Sequence, residues 1–248
     1  MVLSVVSVGA HQDDELSCLG TMILCADRGD RITTVSISKG DLGGQHDPTI
    51  PGVEVARTRI AEATEVASAL GGEYVCLNAD DEFIMDTRDL RIDVARTLRR
   101  VRADLVLTPP PSDYNVDHIR AGEITAHAAL LSAINSLDIG EPPLPRAPVV
   151  MYMDSIVGLD FQPSYYVDVT DAFQRKCDLL RLHRSQMLSQ PNITGWDLVE
   201  HAEIVGRFRG LQCGVPYAEG FRPVLRTPLL GAGSLLPDGS GKRSLIRQ

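Results

Sequence analysis

The chain has 248 residues, of which 44% are apolar and 23% charged, and its formal net charge is −9. This acidic balance argues against a nucleic-acid partner, because phosphate recognition uses clustered Lys and Arg. No apolar run approaches the roughly 20 residues of a membrane helix, and residues 1–10 lack the features of a signal peptide. Five widely spaced cysteines without a CxxC pair argue against a disulfide framework. We therefore expect a cytoplasmic protein without a membrane partner.

Strands and helices are predicted to alternate along most of the chain. β-Branched and apolar runs predict six strands, over residues 1–8, 31–38, 73–77, 104–108, 149–154 and 164–169. Apolar residues at helical spacing predict six helices, over residues 16–28, 53–70, 89–102, 118–136, 170–190 and 196–209. The helix 170–190 is predicted to end before Pro191, because proline cannot continue a helix.

This alternation is typical of βαβ units, which build a parallel sheet with helices on its faces. No internal repeat or linker is visible, so we expect a single α/β domain over residues 1–222. Residues 223–248 are rich in Gly, Pro and Ser and are predicted to form a loosely packed tail.

Two predicted loops contain residue types that bind metals. Residues 10–15 (Ala-His-Gln-Asp-Asp-Glu) follow the first strand, and residues 113–118 (Asp-Tyr-Asn-Val-Asp-His) follow the fourth. Ligands bind beyond the carboxyl ends of parallel strands, where both loops lie. Three consecutive acids repel one another unless a positive charge lies among them. A helix N-terminus supplies about half a charge, so an acidic N-cap is the alternative to a metal.

Two histidines and one carboxylate from these loops would form a catalytic metal site. His11, Asp14 and His118 give three ligands and leave an open position for water, as in catalytic zinc sites. The same ligand set also suits ferrous iron. Asp13 would then point away from the metal and could take a proton from the water.

Residues 10–15 resemble the AHPDDE signature of the PIG-L/LmbE-like N-deacetylases, which remove acyl groups, usually acetyl, from GlcNAc-type sugars. Other segments resemble this family in the same order, at residues 38–44, 59–62, 70–71, 106–118, 183–186 and 217–221. The resemblance extends to about residue 222 and implies a Rossmann-like α/β fold.

The resemblance implies roles for individual residues. His11, Asp14 and His118 match the metal ligands, and Asp13 matches the general base. Asp117 matches an acid that orients a ligating histidine.

Two positions depart from the family pattern. Gln12 replaces the usual proline, which changes the loop's rigidity. Asn115 replaces a histidine that assists catalysis in the family. Asparagine can donate a hydrogen bond to an oxyanion but cannot protonate a leaving amine. Asp13, once protonated by the water, could supply that proton instead.

Other residues have two interpretations each. Tyr114 could bind the substrate or the oxyanion, or form an aromatic lid. Asp41 and Arg59 could bind sugar hydroxyls, although Arg59 could instead pair with Glu62 or with a loop carboxylate. His183 is expected to be a packed histidine rather than a ligand. Glu219 either binds substrate or closes the fold.

The sequence therefore predicts a zinc- or iron-dependent hydrolase that deacylates a small N-acyl amino sugar or its glycoside. One alternative is an amidase that acts on a larger conjugate by the same chemistry. The other is a catalytically silent sugar- or metal-binding homologue, suggested by Asn115. Family resemblance also implies a homo-oligomer, either a trimer or a hexamer.

Overall fold

The computed structural model describes residues 2–224, so nearly all of the predicted tail lies outside the described residues. Within that range seven strands form one sheet. They are β1 (Ser4–Gly9), β2 (Arg31–Ser38), β3 (Glu73–Ala79), β4 (Leu105–Thr108), β5 (Val149–Met153), β6 (Tyr165–Asp168) and β7 (Ala218–Pro223). Their order across the sheet is β3-β2-β1-β4-β5-β7-β6.

The described helices connect these strands and cover the sheet. A short 3₁₀ helix (Asp14–Ser17) precedes α1 (Leu19–Asp27). The others are α2 (Gly52–Ala69), α3 (Arg88–Val101), α4 (Val116–Leu131), α5 (Phe173–Leu180), α6 (Arg184–Thr194) and α7 (Leu198–Cys213).

The order in which strands are added to the sheet reverses at β1, because β4 pairs on the side of β1 opposite to β2. Strands β1, β2 and β3 are successive parallel neighbours, whereas β4 pairs on the opposite side of β1 and β5 follows it in parallel. Such a reversal creates a crevice beyond the carboxyl ends of the two central strands. The loops after β1 and β4 therefore lie at the same crevice, which confirms the predicted mostly parallel α/β fold.

The strand β1 is buried on both faces, which explains why its valines point to both sides of the sheet. Val5 belongs to an apolar core that includes Met22 of α1 and Leu180 of α5. Val6 points the opposite way, into a second core that includes Leu98 of α3. The loop at the end of β1 therefore follows a strand that packs against an apolar core on each face.

Two predicted helices were wrong, and one strand was missed. The predicted helix 16–28 is divided by Cys18, whose φ of −140° separates the 3₁₀ helix from α1. The predicted helix 118–136 ends at Leu131. The strand β7 was not predicted, because its sequence is short and contains both Gly220 and Pro223.

The predicted helix 170–190 was also wrong, because it is two helices, α5 and α6. His183 has a non-helical ψ of 58° between them, and Pro191 lies inside α6 rather than beyond it. Tertiary contacts account for the break. The Glu62 carboxylate accepts hydrogen bonds from Ser185 N (2.9 Å) and Ser185 Oγ (2.6 Å). His183 Nε2 lies 2.7 Å from Glu15 Oε1, and the histidine is fully buried.

Glu219 of β7 joins the end of the sheet to the beginning of α1. Its buried carboxylate accepts hydrogen bonds from the backbone N–H groups of Gly20 and Thr21, both at 2.8 Å. Thr21 Oγ1 donates to it at 2.6 Å, and Lys176 Nζ donates at 2.7 Å. These contacts satisfy donors at the N-terminus of α1 and favour the fold-closing interpretation of Glu219.

Removing Glu219 should destabilise the protein strongly. The substitution Glu219→Ala leaves the buried Lys176 ammonium without its partner, which costs about 3–5 kcal/mol of unfolding free energy. Urea denaturation followed by circular dichroism measures the change. Asp178→Ala is the matched control, because Asp178 pairs with Arg181 at 2.9 Å on the surface, where such a pair contributes at most about 1 kcal/mol. Equal losses in the two variants would contradict this account of Glu219.

Candidate metal and active site

The site begins where β1 ends, at a glycine that leaves space for Asp14. A Cβ on Gly9 would lie 2.6 Å from the Cβ of Asp14. Asp14 Oδ2 accepts hydrogen bonds from the backbone N–H groups of Ala10 (2.7 Å) and His11 (3.2 Å). These bonds fix the carboxylate, so that Oδ1 faces the crevice.

Three potential ligand atoms from the two loops converge at this point. Asp14 Oδ1 lies 3.6 Å from His11 Nδ1 and 3.2 Å from His118 Nε2. The two histidine nitrogens lie 3.2 Å apart. Tetrahedral ligands at 2.0–2.1 Å from a zinc ion are separated by about 3.3 Å. The donor types and their spacing therefore fit a zinc ion, and His118 reaches it from the first turn of α4.

A carboxylate lies beside the remaining nitrogen of each histidine. His118 Nδ1 is 3.0 Å from Asp113 Oδ1, and His11 Nε2 is 3.1 Å from Asp81 Oδ1. Asp117, predicted to orient one of the ligating histidines, has its Oδ2 3.8 Å from His11 Nε2. Carboxylates in these positions fix the ring orientation of a ligating histidine.

Asp81 and Asp113 were missed by the sequence analysis. Asp113 lies in the second polar loop and could have been recognised there. Asp81 follows the carboxyl end of β3 by two residues, and this position was the available signal.

The buried acids give the site a strong preference for positive charge. Burial alone would lower the pKa of His11, but hydrogen bonding to Asp14 and Asp81 outweighs it and raises the pKa to about 9. For His118, burial is likewise outweighed by the charge of Asp14 and the bond to Asp113, so its pKa is raised. Conversely, despite burial, the two histidines lower the pKa of Asp14. A divalent cation would replace the protons that the histidines otherwise hold.

Arg59 of α2 positions the predicted general base. Its Nη2 donates to Asp13 Oδ1 at 2.8 Å, and its Nη1 donates to the carbonyl oxygen of Gly40 at 3.2 Å. Nη1 also lies 3.9 Å from Asp81 Oδ2. This arrangement matches the interpretation in which Arg59 pairs with a loop carboxylate. This bond holds Asp13 at the lining of the cleft.

Gln12 attaches the first loop to the end of β2. Its Nε2 donates to the carbonyl oxygen of Ser38 (3.0 Å) and to Ser36 Oγ (3.2 Å). The side chain is buried between these groups and Gly40. Gln12 therefore restrains the segment between His11 and Asp13 through side-chain bonds, where the family has a proline.

Asn115 caps α4, and its amide is partly used in doing so. Its Oδ1 accepts a hydrogen bond from Asp117 N at 2.7 Å, and its Nδ2 donates to Glu82 Oε1 at 3.2 Å. Tyr114 lies edge-on to the His118 ring, with the ring centroids 5.5 Å apart. Both residues line the cleft above the ligand atoms.

The cleft over this cluster has a cavity volume of about 100 Å³ and opens to solvent. One wall comes from α6, which contributes Gln186, Gln190 and Ile193. Asp41 is not among the described lining residues, and its carboxylate lies 3.6 Å from Lys39 Nζ instead. The structure therefore does not bring Asp41 into the cleft, whereas Arg59 does line it.

None of the helices within residues 2–224 combines the length and hydropathy needed to cross a membrane.

Comparison with known proteins agrees with the geometry. The PIG-L family, described as GlcNAc-PI de-N-acetylase, matches residues 6–129, which is half of the chain. The chain is 27% identical over 233 residues to the diacetylchitobiose deacetylase of Thermococcus kodakarensis, covering 89% of this chain and 83% of that protein.

Two solved structures with the same fold are named for activities that differ from each other. The N,N′-diacetylchitobiose deacetylase of Pyrococcus horikoshii superposes with a TM-score of 0.77 at 28% identity, covering 89% of this chain and 83% of that one. GalB, the 4-carboxy-2-hydroxymuconate hydratase of Pseudomonas putida, gives 0.79 at 23% identity, covering 93% and 99%. At its lower identity, GalB is evidence for the fold alone.

The sheet and its cleft at the switch point define an LmbE-like α/β protein. The chain belongs to the PIG-L family of de-N-acetylases and is a hydrolase that acts on amide bonds.

Replacing either histidine should abolish metal binding. We expect the wild-type protein to bind about one zinc ion per chain after loading and dialysis, and His11→Ala and His118→Ala to lose most of it. Plasma mass spectrometry measures the metal content. His46→Ala is the matched control, because His46 bonds to Ser189 outside the cluster. Unchanged zinc content in both cluster variants would show that the metal is bound elsewhere.

Proposed function

We propose that the protein is a zinc-dependent deacetylase that hydrolyses the amide of an N-acyl amino sugar or its glycoside. The observation that carries this proposal is the triangle of His11, Asp14 and His118 with Asp13 held beside it. Three protein ligands leave one position open, and a neighbouring carboxylate is available for proton transfer.

The three residues of the triangle would hold the metal. Bound there, a zinc ion would supply Lewis-acid chemistry, which would lower the pKa of a nearby water and polarise the amide carbonyl. Ferrous iron suits the same ligands, so an assay with each metal decides between them. Asp81, Asp113 and Asp117 would keep the two histidines oriented, through the ring nitrogens that face away from the ion.

Asp13 acts as the general base. Arg59 binds Oδ1 of Asp13, so Oδ2 is the oxygen left to accept the proton of the attacking water. The water oxygen then bonds to the amide carbon. The same carboxyl group returns its proton to the amide nitrogen as the carbon–nitrogen bond breaks, which releases acetate and an amine.

Asn115 and Tyr114 assist at the carbonyl oxygen. One N–H of the Asn115 amide is bonded to Glu82, and the second is available to donate to the developing oxyanion. The Tyr114 hydroxyl is a second donor at the same wall of the cleft. Neither group replaces the acid function of the family histidine, which Asp13 therefore supplies.

The polar walls support a sugar substrate. Glu82, Gln45, Gln186 and Gln190 line the cleft with carboxylate and amide groups that can bond to hydroxyls. The relatives named as diacetylchitobiose deacetylases support the same substrate class. An amidase for a larger conjugate and a silent homologue are the alternatives. The cytoplasmic location, the trimeric or hexameric assembly and the domain boundary at residue 222 stay predictions.

Substitution of the base should separate catalysis from metal binding. Asp13→Asn retains the bond to Arg59 but cannot accept a proton, so kcat should fall by about 10²–10⁴-fold. Zinc content should be unchanged. The assay follows amine release from N-acetylglucosamine, diacetylchitobiose and N-acetylgalactosamine, each with zinc and with ferrous iron.

The same panel tests the alternatives. A wild-type protein that binds one zinc ion per chain but releases no amine from any sugar would favour a silent homologue. Release only from larger N-acyl conjugates would favour the amidase. Wild-type rates in Asp13→Asn would remove Asp13 from the mechanism.

A further inference from the structure

Glu82 is an acidic residue of the cleft that has no counter-ion among the described residues. It lies three residues after β3, is exposed, and lines the cleft. Its Oε1 accepts a hydrogen bond from Asn115 Nδ2 at 3.2 Å, and that amide is neutral. Within residues 2–224 no Lys, Arg or His side chain forms an ion pair with it. The described part of the protein therefore leaves the charge of Glu82 without neutralisation.

The other acids that line the cleft each have a partner. Asp13 Oδ1 accepts a hydrogen bond from Arg59 Nη2 at 2.8 Å, and Asp81 Oδ1 lies 3.1 Å from His11 Nε2. Asp14 is a proposed metal ligand, so a bound cation offsets its charge. Among the described lining residues Arg59 is the one Lys or Arg side chain, and Asp13 already pairs with it. The cleft therefore has an excess of negative charge at Glu82.

The backbone around Glu82 is held on both sides. The carboxylate of Asp81 accepts a hydrogen bond from Leu42 N at 3.0 Å, and Ile84 N donates to Asp117 Oδ1 at 3.0 Å. Between these anchors Glu82 has a left-handed φ of 62°. A non-glycine residue keeps such a conformation only where its surroundings enforce it. The carboxylate is therefore attached to a backbone that its neighbours fix beside the cleft.

Glu82 lies close to a group proposed to act on the amide. Its carboxylate is bonded to Asn115, the proposed donor to the oxyanion. Its charge also acts on the wall of the cleft. Burial and the charges of nearby acids, Asp14 first and Glu82 among them, raise the pKa of Tyr114. A charged group of a substrate in the cleft would experience the same negative potential.

We propose that Glu82 selects the substrate by charge. It favours an N-acyl amino sugar whose neighbouring unit carries an ammonium group, and it disfavours one whose neighbour carries a carboxylate or a phosphate. This inference rests on the proposed function, because it places the scissile amide at the triangle of ligands and the neighbouring unit near Glu82. A partly deacylated amino-sugar oligomer has the favoured chemistry, since each lost acyl group leaves an amine.

Disaccharides that share a first N-acetylglucosamine and differ in the charge of the second sugar test the proposal. The second sugar is glucosamine, N-acetylglucosamine, N-acetylmuramic acid or the methyl ester of the last, at a pH where the amine is protonated. Nuclear magnetic resonance follows loss of the acetyl group from the first sugar. For the zinc-loaded wild type, kcat/KM should be about threefold higher with glucosamine than with N-acetylglucosamine. It should be about threefold lower with the muramic acid than with its uncharged ester.

The substitution Glu82→Gln removes the charge but retains an oxygen that can accept the bond from Asn115. Each ratio compares two substrates of one protein, so a general change in activity cancels. Both ratios should fall to about one in this variant, and in the wild type at about 1 M sodium chloride. Asp80→Asn is the matched control, because it changes the net charge equally. Asp80 pairs with Lys39 at 2.6 Å and is not among the described lining residues, so both ratios should persist.

Three results would overturn the proposal. The first is a wild-type protein that does not prefer the glucosamine disaccharide to the neutral one. The second is survival of both ratios in Glu82→Gln. The third is an equal decrease of the ratios in Asp80→Asn, which would assign them to the net charge of the whole protein.

Failure of the proposed function gives a different result. If the zinc-loaded wild type removes acetate from none of these disaccharides, the deacetylase proposal fails. Calorimetric binding of chitobiose, which has two free amines, and of diacetylchitobiose then tests charge selection separately. Binding of chitobiose about threefold tighter than diacetylchitobiose in the wild type, with equal binding in Glu82→Gln, would support the role of Glu82. The same ratio in both proteins would overturn it.

Discussion

The buried guanidinium of Arg59 holds together the end of the sheet that contains the site. It binds Asp13 after β1 and the carbonyl oxygen of Gly40 after β2, and it lies 3.9 Å from Asp81 after β3. Without it, two carboxylates would be buried beside one another with no fixed positive charge between them, which is costly. The position of the proposed base therefore depends on one side chain of α2, which also lies near the carboxylate behind His11.

The parts of this arrangement that could be predicted are local in the chain. His11, Asp13 and Asp14 lie in one turn after a recognisable buried strand, and His118 follows another such strand. Parallel strands bring their carboxyl ends to one edge, so the predicted parallel sheet was enough to expect these residues to converge. Asp81 could not be placed in this way, because its role depends on bonds from Ser38 and Leu42 in a neighbouring loop. The break between α5 and α6 likewise depends on Glu62, 123 residues away.

The fold by itself does not determine the reaction. A hydratase and a deacetylase superpose on this chain almost equally well, with TM-scores of 0.79 and 0.77. Groups placed at the cleft distinguish such enzymes, and the common sheet does not. Here those groups are a donor triangle, a carboxylate held by Arg59, and an asparagine at the position of the family histidine. In the proposed mechanism, the last of these leaves both proton transfers to Asp13.

The position of β7 in the sheet has a consequence for how the chain is synthesised. β7 lies between β5 and β6 and is antiparallel to both, so β6 reaches the sheet only through it. Its Glu219 also satisfies the start of α1, 199 residues earlier in the chain. While the ribosome is still making residues 170–217, β6 has no strand to pair with and Lys176 lacks its bond to Glu219. The central strands can assemble during translation, but the last two strands must join in a single late event.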